Sequence, residues 1–135
     1  PIKRDLKLIA GIQNIIKAME KNDIERIIYL SFVGVREKKA NLGFLYNFII
    51  PLVMKNIIID HKIKENLLIS SKLSWTIVQP PKLTLGSYTG KYKSSEELIK
   101  DKTNKLTLSR SDLADFMLSQ LENKLSFKKS LFVTQ

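Results

Sequence analysis

The sequence predicts an α/β fold, the second half of a doubly wound parallel sheet with flanking helices. Three observations carry this. Helical and strand-like patterns alternate along the chain, in the order helix, strand, helices, strand, helix, strand. The two strongest strand candidates, Arg26 to Val33 and Leu73 to Gln79, are apolar on both faces, as strands covered by helices on both sides must be. The five glycines stand singly, and none follows a strand and opens a helix at the spacing of a phosphate-binding loop. The last point removes the half of a doubly wound fold that carries that loop.

The run Leu73-Ser74-Trp75-Thr76-Ile77-Val78-Gln79-Pro80-Pro81-Lys82 is the centre of the chain. It begins as an aromatic and β-branched strand. It ends at two prolines, neither of which can donate to a sheet ladder. An apolar strand thus delivers a stiff corner and one cation, Lys82, at its carboxyl end. In open α/β sheets ligands sit outside the carboxyl ends of the strands.

The other elements follow in order. Pro1 to Lys21 contains an amphipathic helix, with Leu6, Ile9, Ile12, Ile16 and Met19 at three- and four-residue steps and Leu8 and Ile15 widening the stripe. Lys21-Asn22-Asp23 ends it. Arg26 to Val33 is the first strand, with Ser31 near its carboxyl end and Gly34 opening a charged loop. Gly43 to Leu73 reads as helical and interrupted near Pro51, because proline inside a helix costs about 3 kcal/mol. Its second segment, from about Asn56 to Ser71, is expected to bury Ile59, Ile63, Leu67 and Leu68. Pro81 to Asn104 is rich in turn residues and reads as loop. Leu106 to Leu108 reads as a short strand. Ser109-Arg110-Ser111-Asp112 resembles a capping box, opening a helix that buries Leu113, Phe116, Met117 and Leu121. Ser130 to Thr134 reads as a terminal strand.

Composition narrows the function. The 135 residues, 44% hydrophobic, suffice for one domain with a core. No cysteine is present, which excludes disulfides, thiol chemistry and cysteine-held metal, and fits a reducing, cytoplasmic setting. The net charge of +10 comes mostly from scattered lysines. No basic stripe interleaved with aromatics marks a specific nucleic-acid surface. The longest apolar run, Phe44 to Ile59, is broken by Asn47, Pro51, Lys55 and Asn56 and falls short of a membrane span. His61, the single histidine, has no cluster of acidic or cysteine partners, so no metal site is expected.

Four motifs resemble one family in one order. They are Asn14-Ile15-Ile16-Lys17-Ala18-Met19 with Ile24 to Ser31; Asp60-His61-Lys62-Ile63-Lys64-Glu65 continuing to Leu73 to Pro81; Thr89-Gly90-Lys91-Tyr92; and Ser109 to Leu118. Together they resemble the C-terminal portion of the atypical short-chain dehydrogenase/reductase group, the NAD(P)H-binding, NmrA-like proteins that include the flavin-reductase type of biliverdin reductase. The resemblance implies that residues 1–135 form a single partial Rossmann-like domain binding NADP or NAD. Family members begin with a strand, a glycine-rich loop and further strands, about 70 residues at roughly 30 per βαβ unit. This sequence therefore reads as a fragment, a truncated product or one piece of a split chain, inactive alone and paired with a complementary N-terminal half or with itself.

The resemblance also implies a site. Ser31, Phe32 and Val33 would lie under the nicotinamide, with Ser31 bonding the carboxamide or the substrate. Its competing role is to cap the turn into the Gly34 loop. The corner Pro80, Pro81 and Lys82 would form a wall against the ring. Lys82 would meet a phosphate or an anionic substrate, or else be one solvated lysine among many. Gln79 replaces the arginine common before this corner. Lys62 matches the lysine that grips the nicotinamide ribose in related dehydrogenases, against the alternative of an exposed helix lysine. Four residues earlier, on the same helical face, Ile58 stands where those enzymes carry a tyrosine proton donor. The implied function is hydride transfer from NAD(P)H to a flavin, quinone or similar acceptor. The alternative is a non-catalytic NmrA-like dinucleotide-binding or regulatory module.

Overall fold

The computed structural model describes residues 6–35, 48–97 and 106–135. They belong to two compact units, one containing the chain up to Arg26 together with Gly34–Ser74, the other Ile27–Val33 with Trp75–Gln135. Residues 36–47, where the charged loop and the start of the second helical region were expected, lie outside the described residues.

The first unit is helical. Helix α1 spans Leu6–Lys21 and packs against α3, Lys55–Ile69, with a single turn α2, Ile50–Val53, before it. The interruption expected near Pro51 falls three residues later. Pro51 sits in the first turn of α2, where its missing N–H costs nothing, and the break comes at Met54, which leaves helical geometry at φ −103°. On α1, Ile12 and Ile16 are buried, whereas Leu6, Leu8 and Ile15 are exposed. The expected buried face of α3 is corrected. Leu68 is buried, but its companions are Asp60, Lys64 and Glu65, while Ile59, Ile63 and Leu67 are only half-buried. A pattern read from apolar residues alone misplaced this helix by about a third of a turn. The half-buried Arg26 donates to the Ser74 carbonyl at 2.6 Å.

The second unit holds the sheet. Strands β1 (Arg26–Leu30), β2 (Ser74–Gln79), β4 (Lys93–Ser95) and β6 (Lys129–Thr134) stand in the order β1-β2-β6-β4. Strand β2 runs parallel to β6, with Ile77 opposite Ser130 and Gln79 opposite Phe132. Strand β1 runs the same way as β2, since Ser31 N–H donates to the Val78 carbonyl at 2.8 Å and Val33 N–H to that of Pro80 at 3.0 Å. Strand β4 is antiparallel to β6, so the sheet is mixed. The region expected to be loop from Pro81 onward contains β4 and also β3, Lys82–Thr84, which pairs in parallel with β5, Thr107–Ser109. Three-residue strands carry too little periodicity to be seen in sequence.

Strand β2 is buried from Trp75 through Gln79, and Pro80 beyond it is covered too. The core between the sheet and helix α4, Arg110–Ser119, comprises Val78, Leu108, Leu113, Phe116, Leu131 and Val133. Leu121, expected on the buried face of α4, lies past its end and is exposed. Strand β1 differs most from expectation. It ends at Leu30, is an edge strand among the described residues, and is half-buried rather than enclosed, with Leu30 40% exposed. No described helix is long and apolar enough to cross a membrane.

This core sets a test. Leu108 is fully buried and Leu118 on the same unit is 67% exposed. Leu108→Ala is expected to cost about 3 kcal/mol, and Leu118→Ala at most about 0.5 kcal/mol. Urea titrations following the fluorescence of Trp75, the single tryptophan, measure both.

Candidate functional site

The carboxyl edge of β1 and β2 brings six of the seven expected site residues into one place. After Leu30 the chain leaves the ladder but continues alongside β2, held by the bonds from Ser31 to Val78 and from Val33 to Pro80. Val33–Val35 then closes as a 3-10 turn. The segment Ser31-Phe32-Val33 is thus fastened to the strand that ends in Pro80 and Pro81, and Lys82 leaves this corner as the first residue of β3.

Accessibility divides these residues. Ser31 is 5% exposed, and Val33, Pro80 and Pro81 are buried. Phe32 is half-buried and Lys82 exposed. The Pro80 carbonyl accepts from Val33 N–H. Pro80 therefore braces the Ser31 segment from behind, and Phe32 and Lys82 are the more exposed side chains at this edge. Lys62, the seventh residue, is exposed on α3 in the other unit, with Ile58 half-buried one turn before it.

His61, beside Lys62, is kept neutral. Burial pushes its pKa down to about 4, the Lys64 ammonium adds to this, and the Asp60 carboxylate opposes it. Among the described residues no group of three or more His, Cys, Asp or Glu side chains could hold a metal ion.

A second polar centre lies at the start of α4. Ser109 is the N-cap, its hydroxyl accepting from Asp112 N–H at 2.9 Å and donating to the Asp112 carboxylate at 2.9 Å. The same carboxylate accepts from Thr89 N–H at 2.8 Å, the Thr89 hydroxyl at 2.9 Å and Gly90 N–H at 2.9 Å. Burial alone would raise the pKa of Asp112. Its hydrogen bonds from Thr89, Gly90 and Ser109 outweigh that and hold it below the usual carboxylate range. One turn on, the Tyr92 hydroxyl donates to Asp115 at 2.6 Å, which with burial pushes its pKa up to about 12. The sequence showed both ends of this centre, Thr89-Gly90 and Ser109-Arg110-Ser111-Asp112, without showing that they meet.

These facts test the fit of a dinucleotide. A hydroxyl, an aromatic ring and a cation at the carboxyl edge of two parallel strands suit the nicotinamide end. A pyrophosphate needs a glycine-lined turn and open N–H groups at a helix N-terminus. The helix that follows a strand directly here, α4 after β5, has its N-terminus capped by the Ser109 hydroxyl, which accepts from Asp112 N–H. The described residues fit one end of the cofactor and not the other.

A family model described as NAD(P)H-binding matches residues 3–124. The chain belongs to the NAD(P)H-binding family. No curated protein matches the sequence. Among solved structures, a short-chain dehydrogenase/reductase from Veillonella parvula in complex with NADP superimposes with TM-score 0.78 at 18% identity, over 94% of this chain and 58% of that one. A candidate NAD-dependent epimerase/dehydratase from Bacillus halodurans gives TM-score 0.74 at 25% identity, over 93% and 53%. ChuY, an anaerobillin reductase from Escherichia coli O157:H7, gives TM-score 0.71 at 19% identity, over 90% and 55%. This member of the family has the Rossmann-like fold of those proteins and spans little more than half their length.

The depressed His61 pKa predicts a pH dependence. The unfolded imidazole protonates near 6.5 and the folded one near 4. Between those values the unfolded chain binds the extra proton, so stability falls as pH drops through this window and levels off below it. His61→Gln is expected to flatten that slope, read as urea midpoints between pH 7 and pH 4.

Proposed function

We propose that this chain is the nicotinamide-side part of an NAD(P)H-dependent oxidoreductase that passes hydride to a flavin, quinone or similar conjugated acceptor. Residues 1–135 would form a single partial Rossmann-like domain of NmrA-like type, working in the cytoplasm and completed by a complementary N-terminal half. The observation that carries the reading is the edge where Ser31, Phe32 and Val33 are tied by backbone hydrogen bonds to the strand ending in Pro80 and Pro81, in a chain of the NAD(P)H-binding family. The bound dinucleotide supplies the hydride. Phe32 and Lys82 contact the ring and its anionic neighbours, Ser31 orients the carboxamide or the acceptor, and Lys62 holds the ribose.

The acceptor class follows from what Ile58 lacks. Reduction of an isolated ketone builds an alkoxide that a positioned acid must protonate, and general acid catalysis contributes roughly 10² to 10⁴ in rate. Isoleucine has no proton to give, and Tyr92, held on Asp115 with its pKa near 12, is a poor acid at neutral pH. A flavin or quinone spreads the incoming charge over a conjugated ring, and solvent can protonate it.

Two measurements test the reading. The isolated chain is expected to bind NADPH more weakly than micromolar, because its described residues offer no pyrophosphate site; calorimetry showing micromolar affinity contradicts this. Steady-state assays on a longer protein containing this chain and a glycine-rich N-terminal half should show flavin or quinone reduction exceeding that of a simple ketone. Ser31→Ala should slow turnover modestly, and Lys62→Ala should mainly raise the KM for NADPH. Efficient ketone reduction that collapses in Ser31→Ala would make Ser31 the acid and sink the mechanism. Dinucleotide binding without turnover of any acceptor would favour a regulatory module.

A further inference from the structure

Residues 85–91, between β3 and β4, form no strand pair, and all seven are exposed. Among the described residues, every hydrogen bond tying them to a distant part of the chain ends on Asp112. The three donors are Thr89 N–H, the Thr89 hydroxyl and Gly90 N–H. The remaining bonds are local: Gly86 N–H to the Thr84 hydroxyl, and Lys91 N–H to the Thr89 hydroxyl. Apolar contact adds little, since Leu85 is 91% and Tyr88 60% exposed.

The ends of the segment are secured separately. At one end Thr84 registers with Ser109 in the β3–β5 pair. At the other, Tyr92 bonds Asp115, and its ring meets Phe116 edge-on with centroids 5.7 Å apart. Asp112 itself is fully buried and bonded to the Ser109 cap, so the fastening point is rigid. Glycine is favoured where the strap meets it. Gly90 has φ +65°, and a Cβ there would stand 3.0 Å from the Tyr88 hydroxyl oxygen.

We infer that residues 85–91 are a strap closed by one latch, the Asp112 carboxylate, and that the strap opens as a unit while the sheet behind it stays closed. Local openings of this kind occur where few apolar contacts resist them. Here the resistance is concentrated in hydrogen bonds to a carboxylate, which are stronger than neutral ones. The strap follows directly on β3, whose own pairing with β5 fixes the path by which the chain leaves the Pro80-Pro81 corner. This inference does not depend on the proposed oxidoreductase activity.

Amide hydrogen exchange on the full chain, read residue by residue, tests it. In Asp112→Ala the amides of Thr89 and Gly90 should exchange on the order of 100-fold faster, the effect of losing more than one charge-assisted hydrogen bond. Val78 and Phe132, paired in the sheet, should keep their protection. Thr89→Val, which leaves the α4 cap intact and removes one latch bond, should accelerate Gly90 by on the order of 10-fold. Unchanged exchange at Thr89 and Gly90 in these variants overturns the latch. Loss of protection at Val78 and Phe132 together with the strap, including an Asp112→Ala chain that does not fold, overturns its independence.

Discussion

Strand β2 has its backbone engaged on both sides, by β1 and by β6, and no residue from Trp75 to Pro80 reaches solvent appreciably. Such a position makes an unsatisfied polar group costly, and among the described residues the Trp75 indole nitrogen is the buried side-chain polar atom left without a hydrogen-bond partner. Thr76 meets this constraint through its hydroxyl, which donates to the Ser126 carbonyl at 2.6 Å. The strand ends where Pro80 and Pro81 cannot donate. Because the ladder stops there but the Pro80 carbonyl remains, Val33 N–H takes it, and the segment carrying Ser31 and Phe32 is held in place. The geometry of the candidate site therefore derives from the burial of one strand.

The ionisable groups divide by what they do. Most of the described lysines are exposed. The carboxylates bonded in the interior of the second unit serve as fasteners. Asp112 joins a loop to a helix start, and Asp115 holds Tyr92 against α4. Asp112 and Tyr92 are not poised for proton transfer at neutral pH, since hydrogen bonds hold Asp112 ionised and Tyr92 protonated. The β1–β2 edge carries instead a hydroxyl, a ring and a lysine, in Ser31, Phe32 and Lys82.

Strand β1 is apolar in sequence on both faces yet stands at the edge of the sheet, half-exposed. An edge strand of this composition is a place where further strands add. The structures that share this fold are nearly twice as long.

The sequence by itself determined the fold class, the central strand and its Pro-Pro stop, and the cap at Ser109. Each of these is a local property of side chains: β-branching, a missing N–H, a hydroxyl before a helix. Tertiary structure alone decided the rest. It set β1 at the edge, because strand order depends on which neighbours are present. It turned α3 to bury Asp60, Lys64 and Glu65, because burial follows the packing partner and not hydropathy alone. It paired β3 with β5 and β4 with β6, because strands of three residues are stabilised by their partners across the ladder. It also brought Thr89 and Gly90 to Asp112, more than twenty residues away in sequence, because a buried carboxylate must find donors wherever the fold supplies them.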